Sequence, residues 1–266
     1  MIQLASHLPR WFHPALDEAP DTPRVFCFPH AGGNPRTFLA WQPLLRTPGT
    51  GATPRITVVG MPGRGHRAHE QPPTSVADLA DGAAEAIAAV AGDGPICLFG
   101  HSLGALVAFE VARRLRDTPA LRHLVASGCS APSLLPSARV VRTAGLRGRE
   151  FAEAVGFFGG LPPEIVAAEE LHDLLLPGLR ADFRLVAEYE YRPAAPLPIG
   201  VSLINGREDP HVDPAALQPW REETVEAPAY HWSPGGHFYF EERPQAVADV
   251  LRTVAASTPA HHVELI

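Results

Sequence analysis

"FGHSLGALVAFEVARRL", residues 99–115, is the stretch on which the reading of this chain turns. An apolar run ends at Gly100, Ser102 sits between Gly100 and Gly104, and helix-periodic residues follow. The G-x-S-x-G spacing predicts a strand that turns sharply into a helix with the serine at the corner, its hydroxyl exposed above a sheet. Glycines two residues to either side leave room for neighbouring backbone, and the Leu103 N–H points from the helix start into the same space. A serine hydroxyl is a weak nucleophile by itself. It needs a base, an acid that orients the base, and donors for the oxyanion that develops during attack.

Outward from the elbow, apolar runs alternate with helical ones. "RVFCFPHAGG" (24–33), "RITVVGMPGRG" (55–65), "PICLFGHS" (95–102), "LRHLVASGCSAP" (121–132) and "IGVSLINGRED" (199–209) read as strands running into loops. "PRTFLAWQPLL" follows the first as a helix, and "SVADLADGAAEAIAAVA" (75–91) is an amphipathic helix with Ser75 as N-cap and Gly92 as its stop. Strands alternating with helices predict an α/β fold with a mostly parallel central sheet flanked by helices, and ligand sites at the carboxyl ends of the strands. From about 131 to 193 the alternation breaks. Three or four short helices are expected there, punctuated by Pro162-Pro163 and Pro177-Gly178, as a helical lid inserted into one domain spanning 1–255. The tail 256–266 has little periodicity and is a candidate disordered segment.

Composition narrows the chemistry. Hydrophobic residues are 45% and charged residues 19%, which suits a folded globular chain, and the net charge of -7 gives no footprint for nucleic acid. All 22 basic residues are arginine, so a Schiff-base lysine and a P-loop lysine are excluded. Cys27, Cys97 and Cys129 have no metal-ligand spacing and read as buried reduced thiols; no metal or cofactor is expected. No apolar stretch suits a membrane span or a signal peptide, so the expectation is a cytoplasmic protein, with a monomer as default.

The partners of Ser102 should follow it in the order acid, then base. "VSLINGREDPHV" places Asp209 just past a strand, with Asp213 and Asp182 as competing acids. "SPGGHFYFEERP" places His237 after a Gly-Gly turn. The imidazole would accept the serine proton, and the carboxylate would hold its tautomer. Of the 13 histidines, His211 follows Asp209 too closely to be the base, His101 would pack beneath the nucleophile, and His66, His69 and His123 read as surface or loop residues. The loop after the first core strand, "FPHAGG", offers the Ala31 N–H as second oxyanion donor beside that of Leu103, with His30 shaping the wall or binding substrate.

Several segments together resemble the type II thioesterases, the editing enzymes of polyketide and nonribosomal peptide pathways. They are "CFPHAGG" (27–33), "MPGRGHR" (61–67), "GHSLGA" (100–105), "LLLPGLRADFRLVAEYEY" (174–191), "INGREDPHV" (204–212) and "GGHFYF" (235–240). The resemblance implies an α/β-hydrolase fold with a lid, a Ser102–Asp209–His237 triad, and oxyanion donors at Ala31 and Leu103. It also implies an acyl substrate held as a thioester on the phosphopantetheine arm of an acyl- or peptidyl-carrier protein. Leu103 stands where methionine is common in the family, and only its backbone enters the chemistry. Phe157 and Phe158 of the lid, with Leu161 and Leu175, are candidates to line an acyl channel, and Arg64 and Arg67 are candidates for carrier docking. A chain of this length without a visible carrier domain favours editing over product release. The alternatives are a product-releasing thioesterase, a general serine esterase on the same fold and, last, a non-catalytic binding protein.

Overall fold

Each long apolar run forms a strand because its alternate residues can be buried on opposite faces of one sheet. The computed structural model describes residues 8–14, 22–46, 53–92 and 94–256. The strands are β1 (Phe12–His13), β2 (Arg24–Phe28), β3 (Arg55–Val59), β4 (Ile96–His101), β5 (Leu121–Ser127), β6 (Gly200–Gly206) and β7 (Ala229–Ser233). Their spatial order is β1-β3-β2-β4-β5-β6-β7, with only the β1 edge antiparallel. The helices are α1 (Pro35–Leu39), α2 (Val76–Val90), α3 (Leu103–Arg114), α4 (Ala138–Gly145), α5 (Gly148–Phe157), α6 (Pro163–Ala167), α7 (His172–Ala187), α8 (Tyr239–Glu242) and α9 (Pro244–Ala256).

The two faces of the sheet bury alternate residues of the same strands. Phe26, Leu98, Leu124 and Leu203 pack against Leu79 and Ile87 of α2 and Phe109 of α3. Val25, Phe99, Val125 and Ile204 pack the other way, against Phe38 of α1 and Leu251 of α9. Helix α2 starts where Ser75 Oγ accepts the Asp78 N–H at 3.0 Å. Cys27, Cys97 and Cys129 are free and buried, and burial pushes all three thiols up, the last two to about 12.

Helices α4 to α7 run between β5 and β6 and share a small core of their own, built on Phe151, Val155, Leu176, Leu179 and Phe183. Pro177 does not punctuate this region; it lies inside the 16-residue α7. Near the start of the helix its missing N–H forfeits a single bond, and Leu176, Leu179 and Phe183 hold the helix to the lid core. The edge strands β1 and β7 escape the periodicity reading: one is two residues long, and the other, "AYHWS", is largely open to solvent. His123 lies within β5 rather than in a loop, bonded to Ser202 Oγ at 2.9 Å. From residue 257 on, the tail read as a candidate disordered segment lies outside the described residues.

Candidate active site

Among the described residues Ser102 is the one non-glycine residue at positive φ, at φ 54° and ψ -118°. It joins β4 to α3, and its N–H donates to the Ser127 carbonyl at 2.8 Å. The flanking glycines follow from steric crowding. A Cβ on Gly100 would stand 2.1 Å from the Gly104 carbonyl oxygen, and one on Gly104 would stand 2.0 Å from the carbonyl oxygen of Phe28. Helix α3 is thus pressed onto β2 and β4, and the strained corner raises the serine above the strand ends.

Asp209 and His237 come from the loops after β6 and β7. Both side chains are almost fully buried, and His237 Nδ1 lies 2.8 Å from Asp209 Oδ2. Asp209 Oδ1 accepts the His211 N–H at 2.8 Å. Burial pushes the Asp209 carboxyl up, but the hydrogen bond and charge of His237 and the His211 N–H outweigh it and hold the group below its ordinary value. An ionised carboxylate only accepts, so His237 Nδ1–H donates to it, and in the neutral ring Nε2 is left with its lone pair. The two loops are laced together: Glu208 N–H donates to the Gly235 carbonyl at 3.1 Å, and the Gly235 N–H donates to Glu208 Oε2. Glu208 was not singled out in the sequence, where it is one acid among many.

Ser102, Leu103 and His237 line one cavity of about 200 Å³, whose lid-side wall includes Phe158 and Val140. His101 lies beneath, fully buried, with its ring centroid 4.7 Å from that of His237 and Nδ1 2.9 Å from Ser127 Oγ. His211 also lines the cavity and stacks on Phe158 at 4.0 Å with an interplanar angle of 13°. Burial and the charge of His237 push the His211 imidazole down to about 4, so it is neutral near neutral pH.

Phe158 and Phe157 are adjacent but placed differently. Phe158 faces the cavity, whereas Phe157 is 61% exposed, outside the lining, with the Arg139 guanidinium over its ring. Leu175 is 44% exposed, and Leu161 borders a separate groove on the lid. His30 also lies outside the cavity lining, its ring set among Phe38, His101, Phe238 and Phe240. Burial, with the charges of His237 and Arg64, pushes it down to about 3.

Ala31 sits in a turn, His30–Gly33, closed by the Gly33 N–H to the His30 carbonyl at 2.8 Å, with Gly32 at φ +72°. The arginines of the P-G-R-G segment are not free surface cations, which corrects their reading as docking candidates. Arg67 is buried, donates to the Gly60 carbonyl at 2.8 Å and to Glu70, and lies over the Trp11 ring. Arg64 forms a two-pronged ion pair with Asp182 of α7. Asp182 is therefore not an alternative partner for His237. Among the described residues no cluster of three or more His, Cys, Asp or Glu could hold a metal ion, and no helix is long and apolar enough to cross a membrane.

Known proteins share both the sequence and this architecture. The family described as Thioesterase domain matches residues 23–257. The thioesterase PikA5 of Streptomyces venezuelae is 35% identical over 238 residues, 88% of this chain and 80% of that protein. The gramicidin S biosynthesis protein GrsT of Aneurinibacillus migulanus is 30% identical over 239 residues, 89% of this chain and 90% of that protein. In structure the chain is similar to BorB, a type II thioesterase from the borrelidin biosynthetic cluster, with a TM-score of 0.79, 29% identity, and coverage of 92% of this chain and 97% of BorB. The sheet with its helical flanks is that of the α/β-hydrolase fold.

Proposed function

Because this chain belongs to the thioesterase domain family, we propose that it hydrolyses acyl thioesters on the phosphopantetheine arm of carrier proteins in polyketide or nonribosomal peptide assembly, clearing stalled or aberrant acyl groups through an acyl-Ser102 intermediate. The observation that carries this reading is the strained serine elbow opening into the same cavity as an imidazole that a buried carboxylate holds from behind.

In the reaction Ser102 Oγ attacks the thioester carbonyl while His237 Nε2 takes its proton. The Asp209 carboxylate stabilises the imidazolium that forms and keeps Nε2 aimed at the cavity. The N–H groups of Ala31 and Leu103 hold the tetrahedral oxyanion. Collapse breaks the C–S bond, and the imidazolium protonates the departing pantetheine sulfur. Water then enters, loses a proton to His237 and attacks the acyl-serine ester; the carboxylic acid leaves and Ser102 regains its proton. Phe158, Val140 and the other apolar lid-side groups of the cavity contact the acyl chain, and Phe157, exposed beside the lining residues His211 and Arg139, is left to meet the arm outside it.

The test presents one short acyl group three ways: on a holo carrier protein, on free pantetheine as a thioester, and as the matched oxyester, each with Ser102→Ala beside it. The expected result is the highest kcat/KM for the carrier-bound thioester and a loss of about 10⁴-fold or more in Ser102→Ala. Equal turnover of the oxyester with no gain from the carrier identifies a general esterase instead.

A further inference from the structure

Asp182 is a fully buried carboxylate that the reaction as written does not use. It sits on α7 of the lid, yet its Oδ2 accepts the Gly32 N–H at 2.8 Å, across 150 residues of sequence. Both nitrogens of the Arg64 fork bind its two oxygens. A buried carboxylate has to be neutralised and its lone pairs filled. Three segments, the P-G-R-G loop, the H-A-G-G loop and the lid helix, therefore converge on one charge. Leu179, one turn earlier on α7, presses on the same spot: a Cβ on Gly32 would lie 3.0 Å from its Cδ1.

The consequence falls on Ala31. The His30 carbonyl accepts the Gly33 N–H, which fixes the His30–Ala31 peptide that carries the Ala31 N–H. Asp182, on the lid helix, fixes the next peptide plane, Ala31–Gly32. An oxyanion donor is effective only when it is aimed in advance at the position the charged oxygen will take. We propose that Asp182, braced by Arg64, is a positioning residue: the lid helix sets the orientation of the Ala31 N–H, so lid placement and oxyanion stabilisation are coupled. This rests on the acyl-serine reading above.

Asp182→Ala tests it with the short acyl-pantetheine thioester. Inhibition is measured in parallel by an alkyl boronic acid, which forms a tetrahedral adduct on Ser102, and by the thioether analogue, which has no carbonyl. The expected result is a kcat lowered about 10- to 100-fold with KM within about 3-fold, part of the 10²–10³ that a lost oxyanion donor costs. Boronate affinity falls in step with kcat, and the thioether inhibition constant stays within about 2-fold. Asp182→Asn, which can still accept the Gly32 N–H, recovers much of the loss. A folded Asp182→Ala with native kcat, or one that loses boronate and thioether affinity alike, overturns the inference. Should thermal melts show that Asp182→Ala does not fold, the Asp182→Leu/Arg64→Leu pair decides, since it removes the acceptor of the Gly32 N–H together with the cation that neutralises it, and native kcat in that pair sinks the idea. Ser102→Ala run alongside separates the two levels: activity surviving there removes the acyl-serine reading itself, whereas its loss with Asp182 variants at full kcat removes only the positioning role.

Discussion

At the carboxyl ends of the strands the candidate reacting groups are tied from several sides: Asp209 by His237 and the His211 N–H, and the loops that carry the proposed acid and base by Glu208. A few ångströms above, the lid is built the other way. Its core is small, and it leaves Leu174 77%, Phe157 61% and Leu175 44% exposed. The strand end holds charges and lone pairs whose partners must stay in place, because a buried polar group left alone is costly. The lid is held mainly by apolar contacts, which are non-directional and allow the wall facing the acyl chain to vary. Asp182 adds a buried polar tie that reaches from the lid down to the strand-end loops.

That contrast predicts unequal responses to substitution and to acid. The largest effect belongs to Asp209→Asn, which keeps the size of the side chain but removes the charge that holds the His237 tautomer. A kcat lower by about 10³- to 10⁴-fold is expected, with KM little changed. Steady-state rates on the pantetheine thioester check this, and a loss below 10-fold would mean that another group orients the base.

Acid should weaken the strand end next. Burial pushes His30 down to about 3, His211 to about 4 and His101 well below its ordinary value. The unfolded chain binds protons at these histidines below about pH 6.5 that the folded protein refuses, so their contribution is complete above that pH and is lost as pH falls. A decline of up to about 2 kcal/mol is expected from His30 between pH 7 and pH 5, with His101 acting in the same direction and the part-exposed His211 contributing less because solvent screens it. Calorimetric melts at pH 7, 6 and 5 measure it, and a flat Tm would show that these rings are solvated.

The smallest effect belongs to the lid wall. Phe158→Ala removes the stack on His211, with about 1 kcal/mol expected from an aromatic pair of this kind. KM for the acyl thioester should rise a few-fold with kcat within about 2-fold, and longer acyl chains should gain most. A comparable drop in kcat would place this ring among the groups that align the reacting carbonyl and would blur the contrast between the two regions.

How much of this is legible in the chain alone depends on the range over which each constraint acts. The elbow is a local steric fact: glycines at 100 and 104 around Ser102 allow a tight corner in a strand-to-helix context, and five residues suffice to state it. The strands β2, β4, β5 and β6 are likewise local readings, since each is a short, near-continuous apolar run of the kind a strand buried on both faces requires. Asp209 and His237 could be named because strand-end loops in the right order leave few candidates. The rest depended on approach in space. Nothing near Arg64 says that its partner lies 118 residues away, and nothing near Arg67 says that it is buried over Trp11. Phe157 and Phe158 are the same residue type side by side; only the rotation of α5 against the cavity turns one ring inward and the other to solvent. The sequence by itself determined the architecture and the candidate nucleophile, acid and base, because steric and periodic rules act between neighbours. Tertiary structure alone decided the charge pairing and the cavity wall, because burial and ion pairing are set by whichever segments the fold brings together.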